Sequence, residues 1–422
     1  MSDAVTWSPA DGTSAERPGT DSSEPPRTDP SARAGTPWRD GLRSLRDRDL
    51  GALPVVLGLI AIWIFFGLEN STFLSSRNVS NLSTQMAVTA ILAMAVVIVL
   101  VAGEIDLSLG SVTGVTSAVL GVLVTNHHLA GGEAIILVLL LGAAIGVLQG
   151  IVTVFVGIPS FLVTLGGFLV WAGVQLDVIG AAGDLPVTNS TVTAIGNDYL
   201  ADWLSWVGAA AAVLVLAAVE LMRHRSYLKA GASDPALRSR IIRVAMVALG
   251  LAALAGYLNH DFGVPEVLAL VLMLAAGLGW ILQRTVVGRH VYAVGGNAEA
   301  SRRAGVPVRA VRVAVLGISG LLAAFAGIVS TSNLDATSSG VGGSTLLLES
   351  IAAAVIGGTS LFGGRGKIYH GLIGALVVAS IVNGLDLLGE SAATEQIATG
   401  LILIVAVSLD AVSRRRRSAE AR

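Results

Sequence analysis

Two acidic residues stand inside a mostly apolar part of the chain, in the run GEIDLSLG that starts at Gly103. No basic residue lies near either acid in the sequence. An acid close to hydrocarbon is costly unless it meets water, a partner or an unwound helix end, so Glu104 and Asp106 are candidates for gating or for a transport pathway. The structural alternative is that Asp106 and Ser108 cap and anchor a following helix, whose N-terminus favours negative charge.

Further polar side chains occur deep in other apolar stretches, and they suggest a route for a hydroxyl-rich solute. Gln149, Asn383 and Asp386 are the candidates that join Glu104, Asp106 and Ser108 in this group. Such residues mark transport pathways in membrane proteins, because cargo that carries hydroxyl groups must exchange hydrogen bonds on its way. Each of them equally suits a hydrogen bond to a neighbouring helix.

Several kinds of chemistry are excluded. The run GGRGK that ends at Lys367 is the nearest approach to a phosphate loop, but the pattern GxxxxGK[ST] requires Gly at Leu361 and Ser or Thr at Ile368. The chain has no cysteine, and its six histidines form no HExxH pattern. We therefore expect no ATPase site, no catalytic residue, no metal site and no cofactor bound by this chain.

A second informative stretch, VYAVGGNAEASRRAGVPV, starts at Val291 and predicts a short, well-capped helix. Asn297 suits the N-cap, Glu299 the positive first turn, Arg302 and Arg303 the negative last turn, and Gly305 the left-handed position after the helix. A helix this short gains little from its own hydrogen bonds in water, which favours a partner that packs against it.

The predicted partner-binding site comprises this helix and its flanks. Its residues are Gly296, Asn297, Glu299, Ala300, Arg302, Arg303 and Gly305. The alternative is an ordinary capped loop whose basic residues serve membrane topology alone.

The composition indicates what must position these residues. Hydrophobic residues make up 53% of the 422 residues, charged residues only 13%, and the mean hydropathy is +0.75. One soluble core cannot bury that much apolar surface, so the chain needs lipid as a solvent. We expect membrane lipid as a partner and no nucleic acid.

Apolar stretches of about 20 residues, the length that crosses the hydrocarbon core, occur about twelve times. They fall approximately at 51–68, 82–101, 105–125, 133–153, 159–178, 203–221, 241–258, 265–283, 310–331, 345–361, 370–388 and 396–412. The close spacing around 102 and 156 also fits re-entrant or broken segments. The predicted fold is an all-α polytopic transmembrane helical bundle.

Basic residues gather on one side when these stretches are threaded from a cytoplasmic N-terminus. Clusters at 223–243, 284–312, 365–367 and 414–417 share that side, and of the 27 Lys and Arg residues only Arg77 faces the other. An excess of Lys and Arg marks the cytoplasmic side. We therefore predict a multi-pass protein of the bacterial inner membrane with both termini in the cytoplasm.

Three regions follow from this pattern. Residues 1–45 are polar and aperiodic, which predicts a disordered N-terminal tail. Residues 46–412 form the transmembrane domain, and residues 413–422 form a basic cytoplasmic tail. Within the domain, Gly142, Gly146 and Gly150 recur every four residues, which suits either a subunit interface or packing inside one chain.

Four stretches resemble one family of membrane proteins, the branched-chain amino acid and sugar class of bacterial ABC permeases, in particular the xylose and ribose type. They are the run from Val291 quoted above, NVSNLSTQMAVTAILAMAVVIVLVAGEIDLSLGSVTGV, IPSFLVTLGGFLVWAGVQL and LESIAAAVIGGTSLFGGRGKIYHGLIGALVVASIVNGLDLLG. They cover most of residues 78–410 in family order. The extra basic loop and helix pair at about 222–283 is similar to the xylose permeases.

This resemblance implies the function and the partners. It implies a permease subunit that imports a monosaccharide, xylose or a related sugar, as a homodimer. A separate ABC ATPase would grip the loop from Asn297 to Gly305 and use the ATP, and an extracytoplasmic sugar-binding protein would deliver the cargo. The rival function is an ion-coupled secondary transporter, in which Glu104 and Asp106 would be coupling sites.

Overall fold

The structure is a computed structural model that describes residues 53–229 and 237–402, together with 404 and 408. Both predicted tails lie outside the described residues. The described chain is almost entirely helical because its apolar stretches satisfy their backbone hydrogen bonds internally, as a segment in lipid must.

The helices follow the apolar stretches predicted from the sequence. In the first half they are α1 (Leu53–Glu69), α2 (Ser76–Val101), α3 (Leu109–Thr125), α4 (Gly131–Val156), α5 (Ser160–Ile179), α6 (Ser190–Asn197) and α7 (Asp202–Lys229). In the second half they are α8 (Leu237–Leu258), α9 (Glu266–Arg284), α10 (Val286–Gly296), α11 (Ala298–Arg303), α12 (Val308–Leu334), α13 (Gly343–Ile356) and α14 (Ile368–Leu387), followed by helical residues 392–402. Two short antiparallel strands, β1 (Asp184–Pro186) and β2 (Ala336–Ser338), pair with each other.

Eight of the described helices are long and apolar enough to cross a membrane, namely α2, α4, α5, α7, α8, α9, α12 and α14. Three shorter apolar helices, α1, α3 and α13, accompany them. The predicted all-α transmembrane bundle is therefore confirmed. The number of twelve spans and the side on which the termini lie remain predictions.

Charge is segregated between the two ends of the bundle. At one end, called the basic end here, the segments 102–104, 285–307 and 357–367 lie together. At the opposite end, called the acidic end, the connecting segments contact one another. For example, Glu266 N donates a hydrogen bond to Asp198 O at 3.0 Å. Arg77 is a basic residue at the acidic end, and its guanidinium lies 5.0 Å from the centre of the Phe262 ring, a cation–π contact.

Helix α2 forms the centre of the bundle. Nearly every residue from Met86 to Val101 is buried, and α12, α13 and α14 all pack against it. A helix that is apolar on all sides belongs in such a position, because protein surrounds it on every face.

One predicted span is interrupted. Residues 104–108 are non-helical, so the third predicted stretch becomes helical at Leu109 rather than at 105. The N-termini of α3 and α13 meet: a Cβ on Gly110 would lie 2.2 Å from the carbonyl oxygen of Gly343. Only glycine permits this backbone approach.

The glycine stripe of α4 packs inside the chain. A Cβ on Gly142 would lie 2.5 Å from Gly320 O, and one on Gly146 would lie 2.1 Å from Leu316 O, both on α12. Gly150 faces the same helix. Of the two interpretations left open by the spacing, packing within one chain is the one that the structure shows.

Candidate coupling and translocation sites

Helix α11 begins and ends as its sequence predicts. The Oδ1 atom of Asn297 accepts a hydrogen bond from Ala300 N at 2.9 Å, and Gly305 adopts a left-handed φ of +85°. Glu299 accepts hydrogen bonds from Arg302 and, at 3.1 Å, from Arg303. These bonds lower the pKa of Glu299, with that from Arg302 the largest cause, so the carboxylate stays ionised even below its ordinary pKa and the pairs are lost only as pH falls through the lowered value.

The charged side chains of α11 point away from the bundle. Exposure is 51% for Glu299, 71% for Arg302 and 79% for Arg303, whereas Ser301 is buried against the protein. Exposed ion pairs of this kind contribute little stability. Their position leaves a charged surface free for a partner, and all seven predicted coupling residues lie in this one segment.

A groove of about 940 Å³ runs from α11 into the protein at the basic end. The residues that line it include Ala298, Arg302, Glu104, Arg312 and Phe161. The helix predicted for partner binding and the first of the predicted pathway acids thus face one common space.

Glycines form a close backbone junction behind α11. A Cβ on Gly295 would lie 1.8 Å from Val101 O and 2.9 Å from Gly364 N. Gly364 N donates to Val101 O at 3.0 Å, and Gly363 packs against the backbone of Gly103. Helix α10, the end of α2 and the GGRGK turn are therefore in direct backbone contact. Gly363 and Gly364 have left-handed φ values of +85° and +70° in this turn.

Glu104 has a cation that the local sequence did not reveal. Its carboxylate is buried, and Arg312 Nε, from the first turns of α12, lies 2.7 Å from Glu104 Oε1. No directional hydrogen bond accompanies this ion pair. Arg312 had been assigned only a topological role in the basic cluster, so its pairing is a contact that sequence reasoning missed.

Asp106 is buried and held by hydroxyl groups. Its Oδ1 accepts from Ser108 Oγ at 2.6 Å and from Ser108 N at 2.9 Å, and its Oδ2 accepts from Ser319 Oγ at 2.6 Å. Ser108 is the N-cap residue of α3 but makes no side-chain capping bond. The expected capping role therefore takes another form: Asp106 fixes the residue that starts the helix. Gln149 joins this cluster, with its Oε1 2.9 Å from Ser108 Oγ.

Hydroxyls of α5 brace the extended segment between Glu104 and Ser108. Ser160 Oγ accepts from Ile105 N at 3.1 Å, and Thr164 Oγ1 accepts from Leu107 N at 3.0 Å. An extended backbone between two helices requires such partners because its N–H groups have no hydrogen-bond acceptor within a helix.

The remaining two predicted pathway residues lie elsewhere. Asn383 forms a buried amide ladder in which Asn78 Nδ2 donates to Asn383 Oδ1 at 2.8 Å and Asn383 Nδ2 donates to Gln85 Oε1 at 3.2 Å. Asp386 is exposed near the end of α14 and takes part in neither polar cluster. The structure therefore brings Glu104, Asp106, Ser108 and Gln149 together and keeps Asn383 and Asp386 apart from them.

No group of three or more His, Asp or Glu side chains suited to a metal ion occurs among the residues that the structure describes. Glu104 is paired with Arg312, and Asp106 is held by serine hydroxyls. A helical membrane bundle with an exposed capped helix at its basic end has the features of a transporter subunit.

Comparison with known proteins supports the interpretation as a transporter subunit. Residues 78–407 match the family described as branched-chain amino acid transport system / permease component. The xylose transport system permease protein of Escherichia coli (strain K12) is 33% identical over 392 residues, which cover 92% of this chain and 99% of the relative. The corresponding protein of Haemophilus influenzae is 31% identical, over 88% and 99% of the two chains. The ribose import permease protein of Escherichia coli (strain K12) is 28% identical, over 83% and 92%. No solved structure matches this chain.

The chain belongs to the branched-chain amino acid transport system permease component family, since the family match covers most of its length. It is a multi-pass permease of the bacterial inner membrane and not an enzyme.

Proposed function

We propose that this chain is the membrane subunit of an ATP-driven importer of a monosaccharide, xylose or a related sugar. Its relatives of 31–33% identity are named as xylose permeases, and a more distant relative as a ribose permease. A separate ATPase uses the ATP, and this chain binds no cofactor itself. An extracytoplasmic sugar-binding protein delivers the cargo to the acidic end.

The observation that carries this proposal is the exposed helix α11 and its connection to the bundle interior. Two arginines and a glutamate of α11 are more than half exposed, which suits a charged partner surface. Behind α11, the backbone of Gly295 touches Val101 and Gly364, next to the segment that carries Glu104 and Asp106. A movement imposed on α11 therefore reaches this segment through rigid backbone contacts rather than through flexible side chains.

The proposal includes the topology and the assembly. The chain crosses the membrane about twelve times, with both termini in the cytoplasm, because the basic end then faces the cytoplasm as the positive-inside rule requires. Two copies form a homodimer, so that two ATPase domains engage two α11 helices. Glu104, Asp106, Ser108, Gln149, Asn383 and Asp386 remain candidates for gating or pathway contact.

Reconstitution tests the function directly. Proteoliposomes that contain this chain, its partner ATPase and the sugar-binding protein are expected to accumulate labelled xylose or ribose when ATP is supplied. Liposomes with this chain alone are expected to accumulate neither sugar under a proton or a sodium gradient. Gradient-driven uptake by the isolated chain would contradict the proposal and support the ion-coupled alternative, in which Glu104 and Asp106 are coupling residues.

A further inference from the structure

A second cavity lies at the acidic end, between α2 and α12. Its volume is about 440 Å³, within the roughly 300–1,000 Å³ typical of small-molecule sites. Uncharged polar side chains dominate its wall: Asn81, Gln85, Asn197, Tyr199, Ser330 and Asn333. We call this cavity the amide groove. None of the residues that line it is acidic or basic.

The spacing of these residues places them on one face of each of two membrane-spanning helices. Asn81 and Gln85 are four residues apart on α2, and Ser330 and Asn333 are three apart on α12, so each helix presents one polar stripe. Asn333 Nδ2 donates to the Thr84 carbonyl at 3.3 Å and ties the two stripes together. Polar side chains within spans are costly in lipid, which favours a functional role.

Hydrogen-bonding capacity in the groove is left unused. Asn333 Oδ1 has no hydrogen-bond partner but is buried against Gly196, so it lies behind the wall of the groove. Both Nδ2 protons of Asn197 are taken, by Ser332 O at 3.0 Å and Asp335 Oδ1 at 2.8 Å, which leaves its Oδ1 as a free acceptor. Within the described part of the chain, the side chain of Asn81 donates to and accepts from no protein group. The groove therefore offers neutral donors and acceptors side by side.

The orientation of the Gln85 side chain is fixed by a hydrogen bond from Asn383. Its Oε1 accepts from Asn383, which in turn is held by Asn78 in the buried amide ladder. The Nε2 group of Gln85 then remains as the free end of an exposed side chain in the groove. Asn383 is thus a positioning residue that determines which end of the Gln85 amide a solute meets.

We propose that the amide groove is a binding site for a neutral, polyhydroxylated solute, a monosaccharide, and that Gln85 and Asn333 contact this solute. Sugar hydroxyls donate and accept hydrogen bonds, and a wall of neutral amides matches both functions without the desolvation cost of a charge. This inference rests on the proposed sugar import and adds the residues that touch the cargo. The lack of charge selects against anionic sugar derivatives.

The absence of cysteine from the chain permits a direct test on the permease alone. Asn81→Cys carries a thiol in the groove, and Asn126→Cys carries one that is exposed at the same end outside the groove. Each variant is labelled in nanodiscs with a charged methanethiosulfonate reagent, with xylose, ribose or sodium gluconate added. We expect either sugar to slow the labelling of Asn81→Cys by about twofold or more, as half-occupancy requires. Gluconate is expected to have no effect, and Asn126→Cys is expected to be insensitive to all three.

A second measurement uses the full transporter complex. Gln85→Ala and Asn333→Ala are expected to lower sugar uptake per ATP hydrolysed by about two- to tenfold, the effect of losing one neutral hydrogen bond. Asn126→Ala is the control and is expected to behave as the unmodified chain.

The outcomes separate the inference from the function. In one outcome the unmodified complex takes up sugar with ATP, sugar does not protect Asn81→Cys from labelling, and both alanine variants keep normal uptake. This outcome overturns the groove as a sugar site and leaves the proposed function standing. Protection of Asn81→Cys by sugar without any ATP-driven uptake by the unmodified complex supports the groove and contradicts the proposed function.

Discussion

Arg312 Nε lies 2.7 Å from the carboxylate of Glu104, and this ion pair joins the start of α12 to the extended segment before α3. Arg312 follows the α11 loop by only a few residues, so a displacement of α11 acts on Glu104 as well as on the glycine junction. Glu104 is buried, whereas 37% of the Arg312 side chain is exposed. The pair therefore lies at the boundary between the exposed surface and the interior of the protein.

Breaking this ion pair is expected to impair sugar transport more than it impairs insertion of the protein into the membrane. Arg312→Ala leaves a buried carboxylate without its cation, at a cost of about 1–2 kcal/mol after solvent screening. Sugar uptake by reconstituted complexes with Arg312→Ala is expected to fall about tenfold. Uptake with Glu104→Gln is expected to fall by a similar factor. The double variant Glu104→Arg/Arg312→Glu is expected to regain part of the loss, and a double-mutant cycle measures the coupling. Purely additive effects would show that the pair is not a functional unit.

Asp106→Asn is expected to reduce uptake about tenfold, because the carboxylate accepts three charge-assisted hydrogen bonds from Ser108 and Ser319. Asp335→Asn serves as the control. Asp335 has a left-handed φ of +49° and accepts from Asn197, and Asn tolerates that conformation and can also accept this bond. Uptake by the control is therefore expected to stay near that of the unmodified chain. Equal uptake by the two variants at matched membrane abundance would assign Asp106 a structural role only.

Deletion of residues 298–304, or Glu299→Ala with Arg302→Ala, is expected to uncouple the permease from its ATPase. The side chains of Glu299 and Arg302 are exposed, and Glu299 pairs only with Arg302 and Arg303 of the same helix, so the folded bundle does not depend on these charges. We expect membrane abundance to be unchanged while ATPase recruitment and sugar uptake are lost. Arg365→Ala, an exposed basic residue at the same end, is the control. Normal recruitment and uptake by the α11 variants would exclude α11 as the coupling element.

Two adjacent glycines provide a matched test of the backbone junction. A Cβ on Gly295 meets Val101 O at 1.8 Å, whereas one on Gly296 meets nothing within 4 Å. Gly295→Ala therefore forces the backbones apart and is expected to destabilise the protein by about 1–3 kcal/mol. Gly296→Ala is expected to have a Tm equal to or above that of the unmodified chain. The measurement is thermal unfolding of the purified permease, and equal Tm values for the two variants would contradict this packing.

One buried acid, Glu220, joins the basic ends of α7 and α8. Glu220 contacts Arg223 at 3.0 Å, Arg243 at 3.2 Å and Arg240 at 3.6 Å. Glu220→Gln removes the charge that these arginines share, and we expect it to destabilise the helix pair by about 1–3 kcal/mol. Glu69→Gln, at an exposed acid, is the control. Limited proteolysis between α7 and α8 is expected to be faster for Glu220→Gln alone, and equal rates would contradict the role of this cluster.

Local features of the fold were predictable from the sequence. The apolar stretches predicted the helices because length and hydropathy alone decide whether a segment prefers lipid. Asn297, Glu299 and Gly305 predicted the capped helix α11, since a cap involves only residues a few positions apart. The sequence anticipated the extended segment after Val101 only as a closely spaced pair of apolar stretches. Four of its non-helical residues, 105–108, were predicted to be part of a spanning stretch.

The sequence by itself thus determined the membrane class, the helices, the segregation of charge and the capped helix α11. Only the tertiary structure decided that Glu104 pairs with Arg312, that Ser319 holds Asp106, that the glycines of α4 pack within the chain and that Asn81 and Asn333 face one groove. The reason is physical. Caps and spans depend on neighbours along the chain, whereas these contacts join helices far apart in sequence, and which helix faces meet is decided by packing of the whole bundle.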